Sequence, residues 1–320
     1  MITRISRRSA ALLLATPALA RAQDNQPLRV IIPQPPGGAT DILARLLQEP
    51  LMRELGRNVV IDNRPGANGI VSINALKQSR PDGNTVLLGG VSIFSFNPNL
   101  FPNLPYDPWR DFSWVAPIAD TPFVIIVGQQ TGITTMQQFA ERARAEPERF
   151  TYGSAGIGNS THLGMEMVAE KAGIRLTHAP FAGSAPALTA IIAGDITGMF
   201  SPLGSTLPAV EAGRVVPLVT MGRERSPALP NVPTLREAGF GDITLPGWYA
   251  FVGPAGMPPA IIERLNVATR AVVDSPAVTQ KLREAILEPL SGTAQSIQDR
   301  AKMESTEIGA FIRRRGIRVE

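Results

Sequence analysis

The chain has 320 residues, 44% of them hydrophobic and 18% charged, a globular balance that excludes a disordered tail protein. With no cysteine and only His162 and His178, it excludes a disulfide framework, thiolate metal sites, a cysteine nucleophile, a lipid-modified N-terminal cysteine and a His-rich metal centre; no cofactor is expected. The formal charge of +4 sits entirely in residues 1–22, where Arg4, Arg7, Arg8 and Arg21 meet no acid; removing them from the 31 basic residues leaves 27, equal to the 27 acidic ones.

Those first 22 residues have the layout of a secretory signal peptide. A positive start is followed by the short apolar run Ala10–Ala15 and by the small-x-small sites Ala18-Leu19-Ala20 and Ala20-Arg21-Ala22. The run falls far short of the ~20 apolar residues needed to span a bilayer. The Sec route is expected, with a twin-arginine signal around Ser6-Arg7-Arg8 as the alternative. The mature chain is therefore expected to be exported and soluble, periplasmic in a two-membrane bacterium. Export and a neutral mature charge together exclude nucleic acid as a partner.

From residue 26 onward, short apolar runs alternate with helical periods, which predicts an α/β protein with parallel strands. Leu28–Ile32 reads as a strand, then comes a Pro/Gly loop, then a helix from Asp41 with Ile42, Leu43, Leu46 and Leu47 on one face. Pro50 is expected to break that helix before Leu51–Leu55. Val59–Ile61 and Thr85–Leu88 read as strands, with a Pro-Gly-Ala-Asn-Gly turn and a helix over roughly 70–79 between them. Strands follow near 150–153, 176–181, 196–200 and 215–220, with helices near 160–172 and 185–193. The C-terminal part reads as helical, over 258–274, from Ala277 and from about Ala294. Two runs, Pro122–Gly128 and Gly247–Pro254, are almost purely apolar and bounded by breakers. A bilobal chain that crosses over, builds a second lobe and returns would explain them; one large sheet is the other reading.

Three loops share the design strand, small residues, helix start: Pro36–Asp41, Gly153–Thr161 and Ala182–Pro186. Helix N-termini offer unpaired N–H groups and the positive end of the dipole, and glycine lets an anion approach the backbone. None of the three contains Lys or Arg, so a carboxylate fits better than a phosphate or nucleotide. Catalytic patterns are weak. There is no G-x-S-x-G or H-E-x-x-H motif, a Ser160–His162 couple is conceivable, and Thr40 and Asp41 read most simply as helix N-cap residues.

The run Val30-Ile31-Ile32-Pro33-x-x-Pro36-Gly37-Gly38-Ala39-Thr40-Asp41 resembles the opening motif of the Bug (TctC-like) family, the periplasmic solute-binding proteins of tripartite tricarboxylate transporters. Further matches occur in order: Asp62–Ala67, Pro81-Asp82-Gly83, Asn97-Pro98-x-Leu100, Leu104–Pro108, His162-Leu163, Gly183–Ala187, Arg225–Thr234 and Pro254-Ala255-Gly256. The resemblance implies a bilobal type II periplasmic-binding-protein fold, its two lobes joined by two crossover strands: residues 23–123 and 246–320 in lobe one, 124–245 in lobe two. It implies a small carboxylated ligand held by Gly38, Ala39, Thr40 and Asp41 on one side and by Gly183, Ser184 and Ala185 on the other. Ser154, Ser160 and His162 would lie along the second wall, with Ser92 and Asn97 near the mouth. It also implies delivery by a monomer to membrane permease subunits. The chain departs from many relatives at Ser201, where an acid is common, at Ala182, where Lys or Arg is common, and at Ile308, where Trp is common; the first two bear on the cleft. A binding protein without enzymatic activity is the favoured reading. A periplasmic sensor that docks on a signalling receptor shares the same ligand switch, and an exported hydrolase or isomerase using Ser160 or His162 is the remote third.

Overall fold

The computed structural model describes residues 26–319 apart from 148, 244 and 246. The export segment expected at 1–22 lies outside the described residues. The chain forms two α/β lobes, each built on its own sheet.

Lobe one begins with β1 (Leu28–Ile32), α1 (Ala39–Leu55), β2 (Val59–Asn63), α2 (Ile70–Lys77) and β3 (Thr85–Gly90). The π-helical turn Ser92–Phe96 and the short helix Asn97–Leu100 then lead to β4 (Phe112–Asp120). After two residues the chain enters the second sheet as β5 (Phe123–Gly128). It continues through α3 (Met136–Ala145), β6 (Thr151–Ser154), α4 (Ser160–Ala172), β7 (Thr177–Pro180), α5 (Ser184–Ala193), β8 (Gly198–Pro202), α6 (Leu203–Glu211) and β9 (Val215–Met221). It returns as β10 (Trp248–Pro254) and ends with α7 (Pro259–Val273), α8 (Pro276–Glu284), β11 (Glu288–Pro289) and α9 (Ala294–Arg315).

The strand order is β11-β4-β10-β3-β1-β2 in one sheet and β7-β6-β8-β5-β9 in the other. The expected parallel pairing holds for β1 with β2 and β3, and for β6 with β7 and β8. The two apolar runs singled out in the sequence depart from it. β5 is antiparallel to β8 and β9, and β10 to β3 and β4. Each enters its sheet from the other lobe, so its direction is set by the crossing rather than by a βαβ turn. Both are buried along their whole length, flanked on each side by another strand, which is why they read as continuous apolar runs.

Alternation places side chains on both faces of the first sheet. Val30, Leu88 and Phe251 join the cluster beneath α1 and α7, whereas Ile31, Leu87 and Trp248 join a larger cluster that continues into lobe two through Phe123, Phe139 and Phe200. Ile308 is buried in that larger cluster.

Several local expectations are corrected. α1 runs unbroken through Pro50, because Leu43, Leu47 and Leu51 bury one stripe against the sheet and outweigh the single hydrogen bond that proline removes. Ile42 is turned to solvent, one position off that stripe. The N-cap of α1 is Gly38, so Thr40 and Asp41 lie within the first turn. β4, α3 and α6 add to the expected elements. Pro117 masks β4 in the sequence, but it sits beside a register shift in the pairing with β10, where a missing N–H is tolerated. α3 carries a legible start signal, Thr135 accepting from Gln138 N–H while the Gln138 side chain accepts from Thr134 N–H.

Candidate functional site

A cavity of about 650 Å³ lies between the lobes. It opens outside the carboxyl ends of the strands, lined by the segments after β1, β2 and β3 on one side and after β6, β7 and β8 on the other.

The loop after β1 is held from behind. Asp41 accepts from Gly37 N–H at 2.9 Å, from Asn63 at 3.0 Å and from Arg45 at 2.9 Å. Those bonds outweigh the effect of burial and hold its carboxyl down at about 2. Gln34 accepts from Thr40 N–H at 3.2 Å, which ties the loop onto the first turn of α1. Thr40 itself lines the cavity, is 1% exposed, and its Oγ1 has no hydrogen-bond partner.

The opposite wall is fixed by α4. Its N-cap Asn159 accepts from Thr161 N–H, and Thr161 Oγ1 accepts from Ala155 N–H at 2.7 Å. His162 Nδ1 accepts from Gly158 N–H at 2.9 Å, which makes Nδ1 the unprotonated ring nitrogen. The His162 ring stacks on His178 at 4.0 Å, and His178 stacks on Tyr152 at 4.8 Å. Burial, and then the neighbouring His178, push His162 down to about 4 against the opposing pull of Glu166. At the third loop α5 begins at Gly183, whose φ of 151° and missing side chain leave the first-turn N–H groups without a side-chain cap.

Of the residues expected from the sequence, Ala39, Thr40, Ser92, Ser160, Gly183 and Ser184 are brought together on the cavity wall. Gly38, Asp41, Asn97, Ser154, His162, Ala185 and Ser201 are not among its lining residues. Gly38 caps α1 and Ala185 lies in the first turn of α5. Asn97 is buried, donating to Asn68 O and to Tyr106 Oη. Ser201 is buried in β8 with its Oγ unpartnered.

The imagined Ser160–His162 couple is not formed. Ser160 Oγ pairs with Ser92 Oγ at 2.9 Å, and the His162 Nδ1 lone pair is taken by Gly158. A Ser–His contact occurs instead between Ser154 Oγ and His178 Nε2 at 2.7 Å, with Ser154 fully buried and off the cavity wall.

Sequence reasoning missed the loop Pro65–Gly69 and the crossover residues Thr121, Trp248 and Tyr249, all of which line the cavity. The first had a signal in its Pro-Gly-Ala-Asn-Gly composition: Gly66, Ala67, Asn68 and Gly69 all take positive φ. For Ala67 and Asn68 that conformation is strained, and it puts Asn68 across the cleft, where Nδ2 donates to Ile157 O at 2.5 Å. The lobes also meet through Ser92 and Ser160, and behind the cleft α9 pairs with α4 through Arg314–Glu170 and Arg315–Glu166. Among the described residues lining the cavity there is no Asp, Glu, His, Lys or Arg.

A family model described as the tripartite tricarboxylate transporter family receptor matches residues 43–317. The chain belongs to this family. It is 32% identical to a UPF0065 protein encoded in the tcbD-tcbE intergenic region of Pseudomonas sp. strain P51, over 92% of this chain and 89% of that protein. A Rhodopseudomonas palustris protein solved with adipate superposes with a TM-score of 0.88 at 31% identity, covering 92% of this chain and 98% of the other. MatC from Rhodopseudomonas palustris, solved with bound malate, gives a TM-score of 0.83 at 27% identity, covering 88% and 97%. The family and these neighbours are solute-binding proteins of bilobal fold.

Proposed function

We propose that this chain captures a small carboxylated solute between its two lobes in the periplasm and delivers it, as a monomer, to the membrane subunits of a tripartite tricarboxylate-type transporter. Residues 23–123 and 246–320 form one ligand-binding lobe in this reading, and 124–245 the other. The observation that carries it is a cavity at the meeting of two helix starts with glycine N-caps, α1 and α5, with the buried Thr40 hydroxyl unpartnered on its wall. Such a site binds an anion through N–H and O–H groups aligned with two helix dipoles and needs no fixed cation. Carboxylates bound to two structural relatives support the same ligand chemistry.

Ala39, Thr40, Ser92, Ser160, Gly183 and Ser184 touch the solute, while Asp41, Asn97, Ser154 and His162 hold the loops that present them. Nothing in this arrangement requires turnover: binding and lobe closure around the ligand are sufficient for delivery. Titration calorimetry against a panel of mono-, di- and tricarboxylates tests the reading, and silence across that panel would refute it. Uptake of the bound compound by vesicles carrying the cognate membrane subunits, dependent on added protein, tests the transport half.

A further inference from the structure

We propose that α4 is a latch that holds the two lobes together without a solute, and that Ser92 of lobe one fastens it by capping this lobe-two helix from across the cleft. The latch is independent of which solute the protein carries.

A helix start leaves its first N–H groups without intrahelical partners. In α4 the Asn159 side chain takes Thr161 N–H, whereas Ser160 N–H donates to Ser92 Oγ at 3.1 Å, and the two serine hydroxyls pair at 2.9 Å. One orphan donor of a lobe-two helix is thus satisfied by a side chain of lobe one. Such a cap exists only while the lobes touch. Ser92 is presented by the π-helical turn Ser92–Phe96, a rare element that occurs frequently at functional sites. That turn is anchored within lobe one. Tyr106 Oη donates to Ile93 O at 2.7 Å, and Ser95 Oγ donates to Ala301 O of α9 at 3.0 Å.

The same helix docks on lobe one further along. Ser160, Glu166 and Glu170 lie on one side of α4 by the helical period. Arg315 of α9 donates to Glu166 at 2.7 Å, and Arg314 donates to Glu170 at 3.1 and 3.2 Å. Glu166 also accepts from Tyr152 Oη of its own lobe at 2.6 Å, which keeps the carboxylate in place when Arg315 withdraws. Ahead of the helix, Gly158 packs so tightly on Leu100 that a Cβ would come within 2.3 Å of it. The lobe-one partners form one block, because Asn99 Nδ2 bridges Ser95 O and Ser305 O, tying the segment around Ser92–Leu100 to α9. One rigid block therefore meets one helix, and the contacts form or part together. Loss of an N-cap shifts such an equilibrium by about 2- to 30-fold, and loss of an exposed ion pair by at most about fivefold.

The chain has no cysteine, so Glu49→Cys in α1 and Thr189→Cys in α5, both exposed, carry the only spin labels. Double electron–electron resonance on the solute-free chain should show a short-distance population. Ser92→Ala should lower the ratio of short to long distances by about 2- to 30-fold. Ser92→Thr, which keeps the hydroxyl, should preserve the ratio, and Arg315→Ala should lower it. Amide exchange supplies a second readout. Ser160 N–H should exchange faster in Ser92→Ala, while Thr161 N–H, capped within its own lobe, should keep the parent rate. A parent with long distances only, or a ratio unchanged by Ser92→Ala, would overturn the latch. Faster exchange at Thr161 as well as Ser160 would overturn the cap across the cleft, since the helix start would then be fraying as a whole. No solute is added, so failure here leaves the carboxylate-binding reading intact.

Discussion

Protonation of His162 should loosen the lobe-two wall of the cleft in mild acid. In the folded chain its imidazole is held neutral down to about 4, chiefly by burial and secondly by the stacked His178, with Glu166 pulling the other way. His178 is lowered in the same direction by burial. In the unfolded chain a histidine titrates near 6.5. As pH falls, the unfolded state therefore takes up protons before the folded state does. The stabilising difference is complete above about 6.5, is lost as pH falls from there towards 4, and levels off below. For His162 alone the loss at pH 5 is about 2 kcal/mol, or roughly 4–8 °C in thermal midpoint.

Thermal unfolding at pH 7.5 and 5.0, in the parent chain and in His162→Asn, measures this. The asparagine keeps an acceptor near Gly158 N–H but cannot charge, so its midpoint should fall by several degrees less. Asp41, held at about 2, does not titrate in this window. Glu304, raised by burial, acts with the opposite sign but equally in both proteins, so it cancels from the comparison. Parallel pH profiles for the two proteins would refute the assignment of acid sensitivity to His162.

Gly158 has a φ of 76°, and a Cβ there would come within 2.3 Å of Leu100 across the cleft. Gly158→Ala should lower the thermal midpoint by the equivalent of about 1–2 kcal/mol from backbone strain and weaken carboxylate binding in calorimetry. Asp41→Asn removes the charge that binds Gly37 N–H, Arg45 and Asn63. It should destabilise by about 1–3 kcal/mol at pH 7, whereas the parent chain should keep that stabilisation until pH falls below about 4. Behind the cleft, Glu166 is more buried than Glu170 and also accepts from Tyr152 Oη. Arg315→Ala should therefore reduce ligand affinity more than Arg314→Ala, whose exposed pair is worth at most about 1 kcal/mol and should lose its effect in 1 M salt.

Much of the lobe architecture was legible because its signals are local. An apolar run of five or six residues, a small-residue loop and a helical period follow one another in a fixed order, and each depends on neighbours a few positions away. The loops at Ala39-Thr40 and Gly183-Ser184 stood out for the same reason: glycine followed by a helix start is a local signal for an anion cradle. The distribution of charge also placed the whole +4 excess in residues 1–22.

Where that reading failed, a distant contact decided the outcome. α1 continues through Pro50 because the sheet holds its buried stripe, and Pro117 sits within β4 because the pairing with β10 is irregular beside it. The sequence presents Ser160 beside His162, yet folding pairs Ser160 with Ser92, 68 residues away, and joins His178 to Ser154. Asn68 and Ile157 lie 89 residues apart and meet across the cleft. Composition and periodicity determined which elements form and which loops can hold an anion. Only the tertiary structure decided that the cavity between those loops is lined without a charged side chain, because a cavity lining is assembled from strand ends far apart in the chain.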